Sequence, residues 1–250
     1  MSDAINIDAL LPLFKPWEEP RQHREPPLKA GDPARTVSGR RPSRCHLVPR
    51  LRDQVEMWRH NGYFGASDTT RTLLKHWFES DHPGGFHYHY CQREAIETFI
   101  WLHEVAKYHS LSSLYSSLYG DDPTPIPVES FTEEDDAWAR YCCKIATGGG
   151  KTKVMSLAMV WSYFHSLYEN SAMPRHFVVI APNIIVFERL KMDFADGAVF
   201  HSDPLIPPEW KADFDLSFVM QDDAGGGASQ GTLYLTNIHR LYERSSRGVV

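Results

Sequence analysis

Three consecutive glycines constrain the fold of this chain more than any other feature of its sequence. Residues 141–161 read YCCKIATGGGKTKVMSLAMVW, so the glycines separate a short apolar run from a helical pattern. Glycines let successive backbone N–H groups turn toward an anion, and the N-terminus of the following helix adds positive potential. Lys151 can reach the terminal phosphates of a nucleotide, and the hydroxyl of Thr152 can hold a bridging magnesium ion. The alternative is a plain glycine-rich turn; the Lys–Thr pair and both flanking elements favour a phosphate site.

Composition limits what else the chain can be. With 250 residues, 42% of them apolar, it can form one large domain or two small ones. The net charge of −6 argues against a general polyanion binder, so any contact with nucleic acid must be local. Four cysteines do not form a disulfide framework, and no apolar run is long enough for a membrane span. We therefore expect a cytoplasmic protein in a reducing compartment.

The first 81 residues divide into two predicted segments. Residues 1–50 are rich in proline, lack periodicity and are predicted to be an extended or disordered arm. Within this arm the basic cluster SGRRPSR suggests either a phosphate contact or a solvated linker. Residues 51–81 have the pattern of a helical hairpin, with Leu51, Val55 and Trp58 on one face and a second helix from Asp68 or Thr69.

Residues 82–250 alternate between helical and strand patterns. A helix carries Ile96 and Ile100, residues 110–127 are predicted to form a loop, and Thr132 and Asp135 have capping-box spacing for a short helix. We predict an opening strand over Tyr141–Ile145, a helix after the glycines, and later strands in HFVVIAP, DLSFVM and GTLYLTN. HFVVIAP is apolar throughout, as in a parallel strand that is buried on both sides. The pattern predicts an α/β domain with helices on both faces of a parallel sheet and ligands at the carboxyl ends of the strands.

Three motifs in sequence order resemble a known family. CQREAIET, ATGGGKT and VVIAPNIIVFERL, with LTNIHRLYE after them, look like the first motor lobe of a superfamily-2 DEAD/DEAH-box helicase. Within this superfamily the type III restriction enzyme Res subunit is the most similar group. The resemblance implies a RecA-like P-loop NTPase domain that this chain contains only in part. Ile145 stands where a simple Walker pattern has its first glycine, as is usual in this group and not in small-molecule kinases.

The resemblance implies a site for ATP and magnesium. Gln92 matches the glutamine that reads the adenine edge; the alternative is an exposed residue at a helix start. Phe86 or Tyr88 would stack on the base or belong to the core. The phosphate loop would comprise Thr147, Gly148, Gly149, Gly150, Lys151 and Thr152, and Thr152 would also be the magnesium ligand.

The resemblance also implies a DNA-binding edge. Pro182, Asn183 and Arg189 match a motif that holds a DNA strand by its phosphates, although Asn183 also suits a helix cap. Thr236 and Asn237 match a second DNA-contacting loop, for which the alternative is a strand-to-helix cap. Such proteins continue to an acidic box that holds magnesium. Asp222 and Asp223 are the only candidates here, and they precede TNIH instead of following it.

Two functions are consistent with these observations. The first is the ATP-binding part of a DNA-dependent ATPase, a helicase or translocase of a restriction or phage-defence enzyme. Its partners would be DNA, the remainder of the motor, and a nuclease domain or methyltransferase subunit. The second is a nucleotide-binding regulatory or interaction module from a truncated gene that does not hydrolyse ATP. We expect the chain alone to bind ATP without useful turnover, and we assign no catalytic residue.

A histidine cluster precedes the first motif. His82, His87, His89 and Cys91 lie within ten residues, which suggests zinc, but their spacing fits no zinc-finger pattern. We expect aromatic and histidine packing beside the nucleotide site instead.

Overall fold

The computed structural model describes residues 15–29, 31–108, 110–123, 132, 140–223 and 229–242. The chain forms two compact units that interleave in sequence. Unit 1 contains Met1–Ala66 and Pro83–Lys151, and unit 2 contains Ser67–His82 and Thr152–Val250.

Unit 1 contains a short hairpin and three α-helices among the described residues. Within the predicted arm, the two strands pair in antiparallel register, with Gln22 opposite Ser38 and Glu25 opposite Arg35. A π-helical turn, Trp101–Val105, extends the third helix. The elements are β1 (Gln22–Glu25), β2 (Arg35–Ser38), α1 (Leu47–His60), α3 (Tyr90–Ile100) and α4 (Leu111–Tyr119), and α2 belongs to unit 2.

A buried carboxylate joins α1 to α3. Glu97 on α3 has no exposed surface. It accepts hydrogen bonds from Arg59 on α1, from Arg93 at 2.8 Å and from the hydroxyl of Tyr63 at 2.7 Å. Burial, followed by the charge of Glu97, raises the pKa of Tyr63, so this hydroxyl remains a donor. Removing one partner of such a buried pair costs about 3–5 kcal/mol, so these hydrogen bonds hold α3 against α1.

Residues 110–127 were predicted to be a loop, and this prediction is wrong for Leu111–Tyr119, which form α4. The side chain of Ser110 accepts a hydrogen bond from the backbone N–H of Ser113 and so caps the helix. Leu114 and Tyr115 are buried, and the serines that suggested a loop lie at the cap and on the more exposed face. The short helix predicted from Thr132 and Asp135 lies outside the described residues.

The predicted strand at Tyr141–Ile145 is also absent from the described part of the chain, where residues 140–146 have no regular structure. Tyr141 is 43% exposed. Lys151 donates from its ammonium group to the carbonyl oxygens of Ile145 and Ala146. No described strand pairs with this run, and the carbonyl of Ile145 at its end accepts from Lys151.

Unit 2 contains the parallel sheet that the sequence predicted. The described strands are β3 (His176–Ala181), β4 (Leu216–Met220) and β5 (Gly231–Asn237), in the order β3-β5-β4 with both pairs parallel. The helices of unit 2 are α2 (Asp68–Glu79), α5 (Lys151–Tyr168, from the last residue of unit 1), α6 (Ile184–Phe194) and the short α7 (Ala198–Ser202). The fold class is therefore α/β, with a three-stranded parallel sheet flanked by helices.

Helix α5 is the central helix of unit 2. It is buried on more than one face, because Val160 and Tyr163 are as inaccessible as Leu157 and Phe164. The indole N–H of Trp161 donates to the hydroxyl of Thr70 on α2 at 2.9 Å. Phe164 on α5 and Phe218 on β4 belong to one group of packed aromatic side chains. The other members are Phe200, Trp210 and Phe214.

Strand β3 is not buried on both sides, as its apolar sequence had suggested. Val178 is 63% exposed and Ile180 is 46% exposed, whereas Val179 and Ala181 are buried. The described β3 pairs only with β5, so it is an edge strand with one accessible face. None of the helices among the described residues has the length and apolarity that a membrane span requires.

Candidate functional site

The glycine loop turns sharply before α5 begins at Lys151. Gly148 and Gly150 have φ angles of 83° and 79°, which lie in the left-handed region that glycine adopts at little cost. Gly149 is constrained by space instead. A Cβ atom there would overlap the Cγ2 of Ile145 and lie 3.2 Å from the carbonyl oxygen of Ala146. Each of the three glycines is therefore required by the conformation of this loop.

Lys151 folds back over the loop that precedes it. Its ammonium group donates to the carbonyl oxygens of Ile145, at 2.9 Å, and Ala146, at 3.2 Å. The lysine is exposed, so it can exchange these neutral acceptors for the oxygens of a phosphate, which form stronger charge-assisted bonds. Thr152 follows in the first turn of α5, where a hydroxyl can contribute to magnesium binding.

Gln92 connects the start of α3 to the glycine loop. It is only 2% exposed, so the alternative of an exposed residue at a helix start is wrong. Its amide oxygen accepts the backbone N–H of His89 at 2.9 Å, and its amide nitrogen donates to the carbonyl of Gly149 at 3.0 Å. A primary amide has two N–H donors and two acceptor lone pairs, so one of each is left for a further partner.

An ion cluster that includes Glu94 holds α3 two residues further on. Glu94 accepts hydrogen bonds from Arg40 at 2.8 Å and from Arg52 on α1 at 3.2 Å. Burial raises the pKa of Glu94, but the hydrogen bond and charge of Arg40, together with Arg52, outweigh it, so the net pKa is lowered. Arg40 belongs to the basic cluster of the predicted arm, where the sequence suggested a phosphate contact or a linker. No local pattern in the sequence indicated its pairing with Glu94, 54 residues away.

The aromatic and histidine residues before α3 are packed together. Tyr88 is 3% exposed and makes an edge-on contact with Phe86, at 4.9 Å between ring centroids. His87 stacks on Trp17 at 4.8 Å. Throughout the part of the chain that the structure describes, no three His, Cys, Asp or Glu side chains are grouped so that they could hold a metal ion. The described side chains therefore pack on one another, Tyr88 on Phe86 and His87 on Trp17.

A second polar region lies at the carboxyl edge of the sheet in unit 2. In the parallel register Ala181 is opposite Asn237, so Pro182 and Asn183, which follow β3, lie beside the end of β5. The side chain of Asn183 accepts the backbone N–H of Val186 at 2.9 Å, which is the helix cap that the sequence allowed. Arg189, on α6, is exposed.

Asn237 also serves as a cap, and it has an unused donor. Its side-chain oxygen accepts the backbone N–H of His239 at 2.9 Å, while Thr236 precedes it opposite Ile180. Asn237 is 5% exposed, and its amide nitrogen has no hydrogen-bond partner within the described structure. Buried donors are nearly always paired, so this group calls for an acceptor from outside the described residues.

The two acidic candidates after β4 have local partners. Asp223 accepts the backbone N–H of Met220 at 2.7 Å, and Asp222 pairs with Arg240 at 2.6 Å. Gln221 accepts the backbone N–H of Asn237, so this turn reaches the end of β5. The turn is therefore part of the same edge of the sheet.

The packing at Gly149 predicts a specific double-mutant result. Gly149→Ala should destabilise the chain by about 1–3 kcal/mol, because the new methyl group overlaps Ile145. Ile145→Ala should recover much of this loss in the double variant, since it removes the overlapping atom. Urea unfolding of the two single variants and the double variant measures the coupling.

Gly148→Ala is the matched control. No atom lies within 4 Å of a Cβ there, so its cost comes from the backbone alone and Ile145→Ala should not relieve it. Additive effects of Gly149→Ala and Ile145→Ala would contradict the described loop.

Comparisons with known proteins agree with this geometry. Residues 85–248 match the family model described as type III restriction enzyme, res subunit. No curated protein and no solved structure matches the chain. The matched segment includes the glycine loop, the end of β3 and all of β5, and it covers more than half of the chain. The chain therefore belongs to the type III restriction enzyme Res-subunit family and contains an ATP-binding domain of the helicase type.

Proposed function

We propose that this chain binds ATP and magnesium through its glycine loop, as part of a DNA-dependent motor in a restriction or phage-defence enzyme. The observation that carries the proposal is the loop itself, in which three glycines with no substitute lead into α5 and Lys151 bonds to two loop carbonyls. Family membership supports a nucleotide as the ligand.

The described residues of the glycine loop, with Lys151 and Thr152, suit a nucleoside triphosphate. The loop has glycines where a phosphate needs close approach to the backbone, and a Cβ at Gly149 would distort this cradle. Lys151 would transfer its hydrogen bonds from the carbonyls of Ile145 and Ala146 to the β- and γ-phosphates. Thr152 would hold the magnesium ion, which neutralises phosphate charge when bound.

Gln92 has two tasks in this proposal. Its bond to the Gly149 carbonyl positions the loop, and its remaining N–H and lone pair would read an adenine edge. Because the side chain is nearly inaccessible, reading the base requires a small opening at the start of α3. The selectivity for ATP therefore depends on how readily this region opens.

We also propose that the carboxyl edge of the sheet binds a DNA strand through its phosphates. Pro182, Asn183, Arg189, Thr236 and Asn237 would form this surface. Its support is the unpaired amide of Asn237, which calls for an acceptor, and the exposed charge of Arg189. Since few cations are involved, binding would be weak and without sequence preference.

The first test of this function is the loss of Lys151. Lys151→Ala should weaken MgATP binding about tenfold or more, because a hydrogen bond to a charged group contributes roughly 1.5–3 kcal/mol. Titration calorimetry measures this, with Lys191→Ala as a control that removes an exposed lysine from α6. Unchanged affinity in Lys151→Ala would refute the loop as the nucleotide site. Equal affinities for ATP and GTP in the wild type would remove only the adenine reading by Gln92.

A second test concerns the salt dependence of DNA binding. Arg189→Ala should make the slope of log K against log salt concentration shallower by about 0.9 for duplex DNA, which corresponds to the loss of one phosphate contact. Fluorescence anisotropy over a salt series provides the slope, and Lys211→Ala, another exposed cation of unit 2, should leave it unchanged. A slope that does not respond to Arg189→Ala would exclude this surface.

A further inference from the structure

A separate cavity of about 850 Å³ lies within unit 1. Helices α1, α3 and α4 and the segment of residues 140–149 enclose it. This volume falls within the range of small-molecule sites, which are mostly apolar with a few polar groups. Its apolar wall is formed by Leu47, Leu51, Phe99, Leu102, Leu111 and Leu114.

Among the lining residues that the structure describes, charged side chains are mostly positive. Four are cations, namely Arg40, Arg52, Arg140 and Lys144, and one is a carboxylate, Glu94. Glu94 already accepts hydrogen bonds from Arg40 and Arg52, and its lowered pKa keeps it ionised. Arg40 also lies 3.9 Å from Glu19. The chain as a whole carries a net charge of −6, so this concentration of cations is local.

We propose that this cavity binds an amphipathic organic anion, an aliphatic chain with one carboxylate or similar acidic group. The apolar wall would hold the chain, and the cationic residues would attract the acidic group. A neutral or cationic ligand of the same length would lack the second interaction. This ligand differs in chemistry from a nucleotide. The proposal is therefore independent of the function proposed above.

The cavity shares part of its wall with the glycine loop. Ile145, Ala146 and Gly149 line it, and the thiol of Cys91 lies 3.8 Å from the Gly149 carbonyl. A ligand in the cavity would therefore contact the loop at the residues that Lys151 and Gln92 also hold. If the loop binds ATP, occupancy of the cavity should change the affinity for MgATP, which makes the site regulatory.

All four cysteines of the chain line this cavity, so their chemistry reports on its occupancy. Cys45, Cys91, Cys142 and Cys143 are free thiols. Burial raises the pKa of Cys91 and Cys143, so labelling is best carried out at mildly alkaline pH. A bound ligand should slow the reaction of the four thiols with a maleimide, which mass spectrometry resolves residue by residue.

The experiment uses the full chain with dodecanoate below its micelle concentration. We expect one site by calorimetry, slower labelling of all four cysteines, and affinity that rises about fourfold for each methylene from octanoate to dodecanoate. Dodecylamine should bind at least tenfold more weakly. Absence of binding, equal binding of dodecylamine, or binding without protection of the cysteines would overturn the proposal.

Variants locate the binding to the cavity. Ala95→Trp should fill it and abolish binding, whereas Met57→Trp on the exposed face of α1 should not. Because the filled variant can fail to fold, Lys144→Glu provides a second test at an exposed lining residue. It should weaken dodecanoate binding about fivefold, the effect of one nearby charge, while Lys191→Glu should leave it unchanged.

Nucleotide competition distinguishes this site from the proposed ATP site. Lys151→Ala should retain dodecanoate binding even though its affinity for ATP falls. Strict competition between MgATP and dodecanoate, lost in Lys151→Ala, would show that the cavity is part of the nucleotide site and would overturn the separate ligand.

Discussion

The hydrogen bond from Gln92 to the carbonyl of Gly149 links the two parts of the candidate nucleotide site, the start of α3 and the glycine loop. It joins the first turn of α3 to the middle glycine of the loop over a sequence distance of 57 residues. Gly149 has no room for a side chain, and its N–H donates to the carbonyl of Ala146. The loop is therefore held in one shape before any ligand arrives, which reduces the entropy that binding has to overcome.

The rigidity of α3 is what makes this bond effective. Two successive turns of the helix are fixed by buried or half-buried carboxylates, Glu94 with Arg40 and Arg52, and Glu97 with Arg59 and Arg93. These pairs fix the orientation of α3 more than they contribute to the free energy of unfolding, because burying charges costs almost as much as their attraction returns. Their physical consequence is that α3 is held from Glu94 onward, so an opening for the base would be confined to the first residues of the helix, which include Gln92.

Local sequence patterns predicted most of the helices and strands. They could not predict contacts between residues that are far apart in sequence. Strands β3, β4 and β5 were predicted from their apolar runs, and α2 was predicted to begin at Asp68 or Thr69, because those signals lie within a few residues. Helix α4 was missed because its serines suggested a loop, although Leu111, Leu114 and Tyr115 have helical spacing. The Tyr141–Ile145 run was predicted to be a strand because it is apolar, but strand formation needs a partner that composition does not reveal.

The same distinction applies to the candidate site. The GGGKT pattern predicts a phosphate loop directly, since each residue type has a local reason to be there. The burial of Gln92, the pairing of Arg40 with Glu94 and the unpaired amide of Asn237 depend on the folded chain. The sequence therefore identified which residues to consider, and the structure showed how their side chains are engaged.

Hydrogen–deuterium exchange of the whole chain, with and without MgATP, tests the central claim most directly. If Lys151 leaves the carbonyls of Ile145 and Ala146 for the phosphates, MgATP should slow exchange in peptides that span residues 145–155 and the start of α3. The backbone hydrogen bonds in the first turn of α5 would open less often once the ligand holds the loop. Slower exchange there, and not in the hairpin of β1 and β2, is the result we predict. Binding of MgATP that leaves exchange at residues 145–155 unchanged would contradict the account.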